Sequence, residues 1–426
     1  MTRSQSDRER QLVERAHAVL PGGNLGNVAK DIVIERGQGS HIWDASGNEY
    51  IDYLLGSGPM LIGHSHPEVL EVVREQLANG TTFFANNEFA IELAEEIVRA
   101  VPCADKVRFS STGTEATLYA MRAARAYRRK DKILKFEGGF HGMNDYSLMS
   151  IWPSELEEFP RSVPGSAGIP QSVQNEMLIA PFNDLDTTRG IVERHHDEIA
   201  GIIVEPFQRL IPPKPGFLQG LRGLADEFGI PLIFDEVVTG FRFAYGGAQE
   251  FYGVTPDICT LGKAVAGGFP LTAIAGSEEI MAHMDGGEMP SEDFMPQIGT
   301  LSGNPVAAVA GLKTLEILRR PGTYESMRAT GATLREGLQR MLDEAEIPAR
   351  VTGEDVLFDV YFTNNEITDY RSTLSANSAT MGRFNSGVLE RGILKGDSKF
   401  YISAAHGEND VVQTLEAFKD VIEEIR

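Results

Sequence analysis

A chain of 426 residues can build more than one hydrophobic core, so two or three lobes are expected. With 61 acidic against 39 basic residues, its net charge of −22 repels nucleic acid and anionic lipid, so any phosphate must be held by local geometry. The two distant cysteines, Cys103 and Cys259, exclude a disulfide framework and a CxxC metal site. The N-terminus lacks an apolar h-region and no apolar run approaches the ~18 residues of a membrane span, which makes the cytoplasm the default location.

Apolar residues at Leu12, Val13, Ala16, Val19 and Leu20 predict a helix over Arg8–Leu20, stopped by "PGG" at Pro21–Gly23. The stretch 31–54 reads as short antiparallel strands with turns at Gly37–Gly39 and Ser46–Asn48. From about Pro67 to Gly276 helical patterns alternate with apolar runs. These runs are Lys106–Ser111, Lys132–Phe136, Gly201–Pro206, Pro231–Val237, Asp257–Gly262 and Thr272–Gly276. Near-continuous apolar strands suit a sheet covered on both faces, which favours a mostly parallel one. After Asn304 the chain turns helical, then mixed. It closes on a helix with Val411, Val412, Leu415, Phe418, Ile422 and Ile425 on one face. The expected fold is α/β: a large domain over 67–310 with a mostly parallel central sheet flanked by helices. A smaller α+β domain is expected from the N-terminal segment 1–66 and the C-terminal segment 311–426.

Five stretches carry the chemistry. "STGTEAT" (Ser111–Thr117) follows a strand and opens a helix; Gly113 lets the backbone approach closely, Thr114 offers a hydroxyl, and free first-turn amides suit a phosphate. Read by itself, it is also an ordinary helix start capped by Thr112 or Thr114, with Glu115 favourable in the first turn. In "PLIFDEVVTG", Asp235 ends an apolar run, where parallel strands collect binding residues; a cationic ring nitrogen would justify it, as would a cap or ion pair. In "EGGFHG" (Glu137–Gly142), Phe140 can lie flat on a planar ligand, or it can be a core residue beside a satisfied His141. "IGTLSGNP" (Ile298–Pro305) is a polar loop able to reach a phosphate, or a plain connector. Finally, "PDICTLGKAVAGG" ends a buried run on Lys263 amid glycines, a setting for an imine-forming amine or for a surface lysine. A phosphate cradle, an aromatic platform, an acid for a ring nitrogen and an imine-forming lysine together are what pyridoxal 5'-phosphate requires.

The same stretches, with "YIDYLLGSGPMLIGHSHPEV", "IIVEP" and "LIFDEVVTGFRFAYGG", resemble the class III (fold type I) pyridoxal-phosphate aminotransferases, in the branch containing glutamate-1-semialdehyde aminomutase. The resemblance runs in order along nearly the whole chain and is weakest after about Thr323. It implies that Lys263 is the Schiff-base lysine and later the proton shuttle. Asp235 would pair with the pyridinium nitrogen and Val237 would pack on the ring. Gly113 and Thr114 would hold the phosphate, Phe140 would take the stacking position often held by Tyr, and Glu205 would lie near the cofactor. Thr300 would reach the phosphate bound by a neighbouring subunit, which places the active site at a homodimer interface. No metal is implied, and "HSH" (His64–His66) and "RHH" (Arg194–His196) read as structural or surface histidines.

Departures from the branch bear on the substrate. The arginine expected after "PGG" is missing: Ala29 stands near that position, followed by Lys30, which lacks a bidentate fork. Ser57 replaces the tryptophan of "GSWGP", which opens the pocket. Val238 stands where many relatives have a glutamine touching the ring oxygen, with Gln208 a candidate substitute. The expected activity is therefore transfer of an amino group from an amine, a β-amino acid or an ω-amino compound to a keto acid such as pyruvate. The alternatives are the 2,1-aminomutase reaction and a racemase, decarboxylase or epimerase on the same fold.

Overall fold

The computed structural model describes residues 4–25 and 31–426. The chain opens with a helix over Asp7–Val19, whose cap Ser6 accepts a hydrogen bond from Glu9 N at 3.2 Å. Glu9 is fully buried because it accepts from Val33 N at 2.9 Å and from the Ser46 hydroxyl. Strands β1 (Ile34–Gln38), β2 (His41–Asp44) and β3 (Glu49–Asp52) follow as an antiparallel meander. These belong to a first unit made of Met1–Pro67, Pro321–Glu366 and Ser375–Arg426; a second unit comprises Glu68–Arg320 and Ile367–Leu374.

The second unit holds a seven-stranded sheet. Its strands are β4 (Lys106–Ser110), β5 (Lys132–Phe136), β6 (Met177–Ala180), β7 (Ile199–Val204), β8 (Leu232–Glu236), β9 (Ile258–Leu261) and β10 (Thr272–Gly276), in the order β4-β10-β9-β8-β7-β5-β6. Strands β5 through β9 pair in parallel, while β10 runs antiparallel to both β4 and β9. Six of the seven coincide with the apolar runs read from sequence; β6 was not among them. Every residue of β6 through β10 is buried, as a sheet sandwiched by helices requires. The helix Gly113–Arg128 lies on this sheet through Ala116, Ala120, Ala123 and Ala124, all without solvent exposure. Gly201 in β7 permits that close approach, since a Cβ there would sit 3.0 Å from the Ala124 methyl. No helix among the described residues is long and apolar enough to cross a membrane.

The first unit is completed by β11 (Arg350–Glu354), β12 (Leu357–Tyr361), β13 (Ile393–Leu394) and β14 (Phe400–Tyr401). Strand β13 adds in parallel to β3, and β12 pairs antiparallel with β11 and β14. Helices Thr323–Glu344, Ser378–Glu390 and Glu408–Ile425 cover these sheets.

Candidate active site

The contacts around Gly113, Asp235, Phe140 and Lys263 lie within the second unit. The helix Gly113–Arg128 begins with a full capping box. Thr112 Oγ1 accepts from Glu115 N at 3.2 Å, and Glu115 Oε2 accepts from Ser111 N and Thr112 N, each at 2.9 Å. The cap read from the sequence is present. The box occupies the amides of residues 111, 112 and 115, and among the described residues those of Gly113 and Thr114 find no acceptor. They are unpaired donors at the positive end of a four-turn helix.

Asp235 ends β8 and is 6 % exposed. Its Oδ1 accepts from Thr260 Oγ1 at 2.9 Å and from Val237 N at 3.1 Å. Its Oδ2 lies 2.8 Å from His141 Nδ1, and an ionised carboxylate requires that nitrogen to carry the proton. His141 is 1 % exposed, and its Nε2 is buried without a partner. Val237 fills the space between two glycines: a Cβ on Gly113 would lie 3.3 Å from its Cγ1, and one on Gly262 3.2 Å away. The helix start at Gly113, Val237 and the strand leading to Lys263 therefore touch.

The loop after β5 carries Glu137, Phe140 and His141. Beneath it Lys135, fully buried, donates from Nζ to the carbonyls of Gly139 (3.1 Å), Ser147 (2.8 Å) and Met149 (2.6 Å). Burial pushes its pKa down to about 7. From the side, Glu205 Oε2 accepts Phe140 N at 2.8 Å, and buried Gln208 donates to the Glu137 carbonyl at 2.8 Å, its Oε1 unpartnered. From the helix, Thr117 Oγ1 donates to the His141 carbonyl at 2.6 Å, while Thr114 Oγ1 accepts Met143 N at 3.0 Å. Gly142, at φ 87°, is required there, because a Cβ would stand 2.6 Å from Thr114 Oγ1. Arg371, in the segment Ile367–Leu374, grips Glu137 through two bonds of 2.7 and 3.0 Å.

Lys263 follows β9, whose Thr260 faces Asp235 across the β8–β9 pair. It is half-buried, at φ 47°, and starts a 3₁₀ turn over Lys263–Ala266. Thr300 stands apart on an exposed loop; its carbonyl accepts from Thr82 Oγ1 at 3.2 Å, and it bonds to none of the residues above. Ser57 lies in the first unit in left-handed backbone, and Ala29 and Lys30 lie outside the described residues. His64 bonds Asp52 at 2.7 Å within the first unit.

Sequence reasoning missed three members of this assembly. His141 was visible beside Phe140 at a strand end, yet nothing local ties it to Asp235, 94 residues away. Lys135 sat in plain view within an apolar strand. Arg371 is 234 residues from Glu137, and no sequence signal links the two.

A largely parallel sheet that presents a carboxylate and a lysine from adjacent strands, beside an open helix terminus, belongs to the fold type I pyridoxal-phosphate enzymes. The chain is a class III aminotransferase: the model of that family matches residues 25–398. A glutamate-1-semialdehyde 2,1-aminomutase of Desulfitobacterium hafniense is 39% identical over 434 residues, covering 99% of both chains. Among solved structures, an omega-transaminase from Sphaerobacter thermophilus superposes with a TM-score of 0.93 at 37% identity, over 98% of each chain. A beta-phenylalanine aminotransferase from Variovorax paradoxus does so at 0.86 and 28% identity, over 98% of this chain and 94% of its own.

Proposed function

We propose that this enzyme is an intermolecular transaminase, moving an amino group from an amine, a β-amino acid or another ω-amino compound to a keto acid such as pyruvate. One observation carries the choice: the sequence keeps Lys263, Asp235, Gly113 and Thr114 for a cofactor, while the arginine expected after "PGG" is missing, with Ala29 near that position and Lys30 next. The likeness to the Sphaerobacter omega-transaminase supports it. The 2,1-aminomutase reaction is the second reading, favoured by the 39% identical Desulfitobacterium relative.

The residues present fit pyridoxal phosphate. The unpaired amides of Gly113 and Thr114 suit its phosphate, and in a chain of charge −22 such local donors are what an anion needs. Asp235, fixed by three donors, suits a protonated ring nitrogen, with Val237 and Phe140 packing on the ring and Glu205 holding the Phe140 backbone. Bound there, the cofactor supplies an electron sink for the pair left when a substrate carbon loses its proton. His141 keeps the Asp235 carboxylate oriented. Lys263 would be the amine that holds the cofactor covalently and, once displaced by the incoming amine, would carry the proton from the amine-bearing carbon to the cofactor, so that the substrate can leave as a carbonyl compound.

The same reading makes the enzyme a homodimer, with Thr300 serving the partner's phosphate. Its loop is joined to another through Thr82, and together they expose Phe83 (53%), Phe84 (69%), Ile298 (74%) and Leu301 (46%), an apolar patch suited to a second copy. Two unpaired thiols, Cys103 and Cys259, suit the reducing cytoplasm. The test offers an amine with pyruvate and looks for alanine, with Lys263→Ala as control. Product from glutamate-1-semialdehyde alone, with none from amine and pyruvate, would replace this reading with the aminomutase; full activity of Lys263→Ala would remove the lysine's role.

A further inference from the structure

One cation beside the Phe140 platform has no work in the assembly described above. From residue 199 to residue 211 every residue is buried except Arg209. It occupies the first position of a two-residue turn closed by Gln208 N to Ile211 O (3.1 Å) and Ile211 N to Gln208 O (2.8 Å). Its φ is 61°, the left-handed region where such turns normally place glycine. The flanks cannot move to relieve it: Gln208, Leu210 and Ile211 are 1%, 1% and 2% exposed, and Gln208 is bonded to the loop that bears Phe140. A strained backbone held by rigid neighbours points to a side chain placed for a purpose.

The guanidinium carbon lies 5.3 Å from the centroid of the Phe140 ring, within cation–π range. Among the described residues no carboxylate pairs with Arg209, although acidic residues outnumber basic ones by 61 to 39. Other half-buried arginines are engaged: Arg222 pairs with Asp226 and Asp257, Arg371 with Glu137, and Arg391 with Asp420 and Glu424, while Arg108, Arg125 and Arg128 donate to the carbonyls of Met284, Asp131 and Ile199. A planar five-donor fork, held over the platform and lacking an acid of its own, matches a carboxylate bidentately.

We propose that Arg209 binds the carboxylate of the substrate, so that this enzyme selects amino acids and keto acids over amines that lack an acid group. This rests on the transaminase reading and names its substrate class. It also assigns the carboxylate to a residue far in sequence from the missing arginine after "PGG".

The test uses the cofactor-loaded enzyme and three variants. Arg209→Gly suits the left-handed turn, Arg209→Gln removes the charge but keeps hydrogen-bonding capacity, and Arg209→Lys keeps the charge without the fork. First, binding of 3-phenylpropanoate, which carries a carboxylate and no amine, is measured by calorimetry. Loss of a charge-assisted pair is expected to weaken it about tenfold or more in the Gly and Gln variants, and less in the Lys variant. Second, single-turnover rates without acceptor are compared for β-phenylalanine and 1-phenylethylamine. The preference for the acid is expected to fall at least tenfold in Arg209→Gly. Unchanged 3-phenylpropanoate binding in both neutral variants, or an equal loss with both donors, overturns the role of Arg209. If the wild-type enzyme aminates nothing from either donor while the binding difference persists, the transaminase reading fails and the carboxylate site stands.

Discussion

Replacing Arg371 by Met asks whether a residue from the C-terminal third braces the loop of Glu137, Phe140 and His141. Glu137, which opens that loop, is 4% exposed, and its carboxylate receives Nε of Arg371 at 2.7 Å and Nη2 at 3.0 Å. Nη2 also reaches the Glu157 carbonyl at 2.6 Å, and the guanidinium carbon lies 4.2 Å from the Phe159 ring centroid. Removing one partner of a fully buried pair costs about 3–5 kcal/mol, because the other charge stays behind unpaired. The Arg371 side chain is 33% exposed, so water can reach part of the vacated space, which lowers the figure to roughly 2–3 kcal/mol. The lost ring contact adds about 0.5 kcal/mol. For a unit of this size a loss near 3 kcal/mol lowers the thermal midpoint by about 6 °C. Because Phe140 and His141 follow Glu137 after only Gly138 and Gly139, we expect pyridoxal phosphate affinity, read by absorbance titration, to weaken about tenfold, or ~1.4 kcal/mol. The double variant Glu137→Met with Arg371→Met removes both charges and should regain most of the midpoint. A single variant melting within about 1 °C of wild type, or a double variant no better than the single, would refute this account.

Two further predictions concern the same unit. Gly142→Ala must place a Cβ 2.6 Å from Thr114 Oγ1 and 2.7 Å from its Cα at φ 87°, so it should cost roughly 3 kcal/mol and weaken cofactor binding. Gly168→Ala, at φ 89° with open space around it, serves as the control for backbone strain alone, near 1 kcal/mol; equal effects from the two would remove the contact argument. Burial raises the fully buried Glu236 carboxyl from 4.5 to about 7. A raised carboxyl stabilises the fold fully below 4.5 and loses that contribution as pH climbs through 7, here about 3 kcal/mol in all. Glu236→Gln should therefore gain on the wild type in thermal midpoint between pH 5 and pH 8, and parallel pH curves would contradict the burial effect.

Strand and cofactor chemistry were written locally, and so were readable. A strand buried on both faces must be apolar throughout, which is why Ile199–Val204, Leu232–Glu236 and Ile258–Leu261 stand out in the chain. Lys263, Asp235 and the Gly113–Thr114 helix start sit where such strands end, so their order along the sequence already pointed to a pyridoxal-phosphate enzyme. Strand β6 escaped notice because so short a run cannot be told from a helix by periodicity, and "MLIA" holds a single β-branched residue where "ICTL" of β9 holds two.

What the tertiary structure alone decided is how those groups are held. His141 on Asp235, Arg371 on Glu137 and Arg209 over Phe140 join residues 94, 234 and 69 positions apart, and each pairing depends on which loops the sheet order sets side by side. The capping box could be read as a motif. That it leaves the amides of Gly113 and Thr114 unpaired follows only once every nearby acceptor is placed. Local sequence specifies the chemical groups, because each strand and helix start answers to its own residues; their orientation and charge answer to neighbours that only the folded chain supplies.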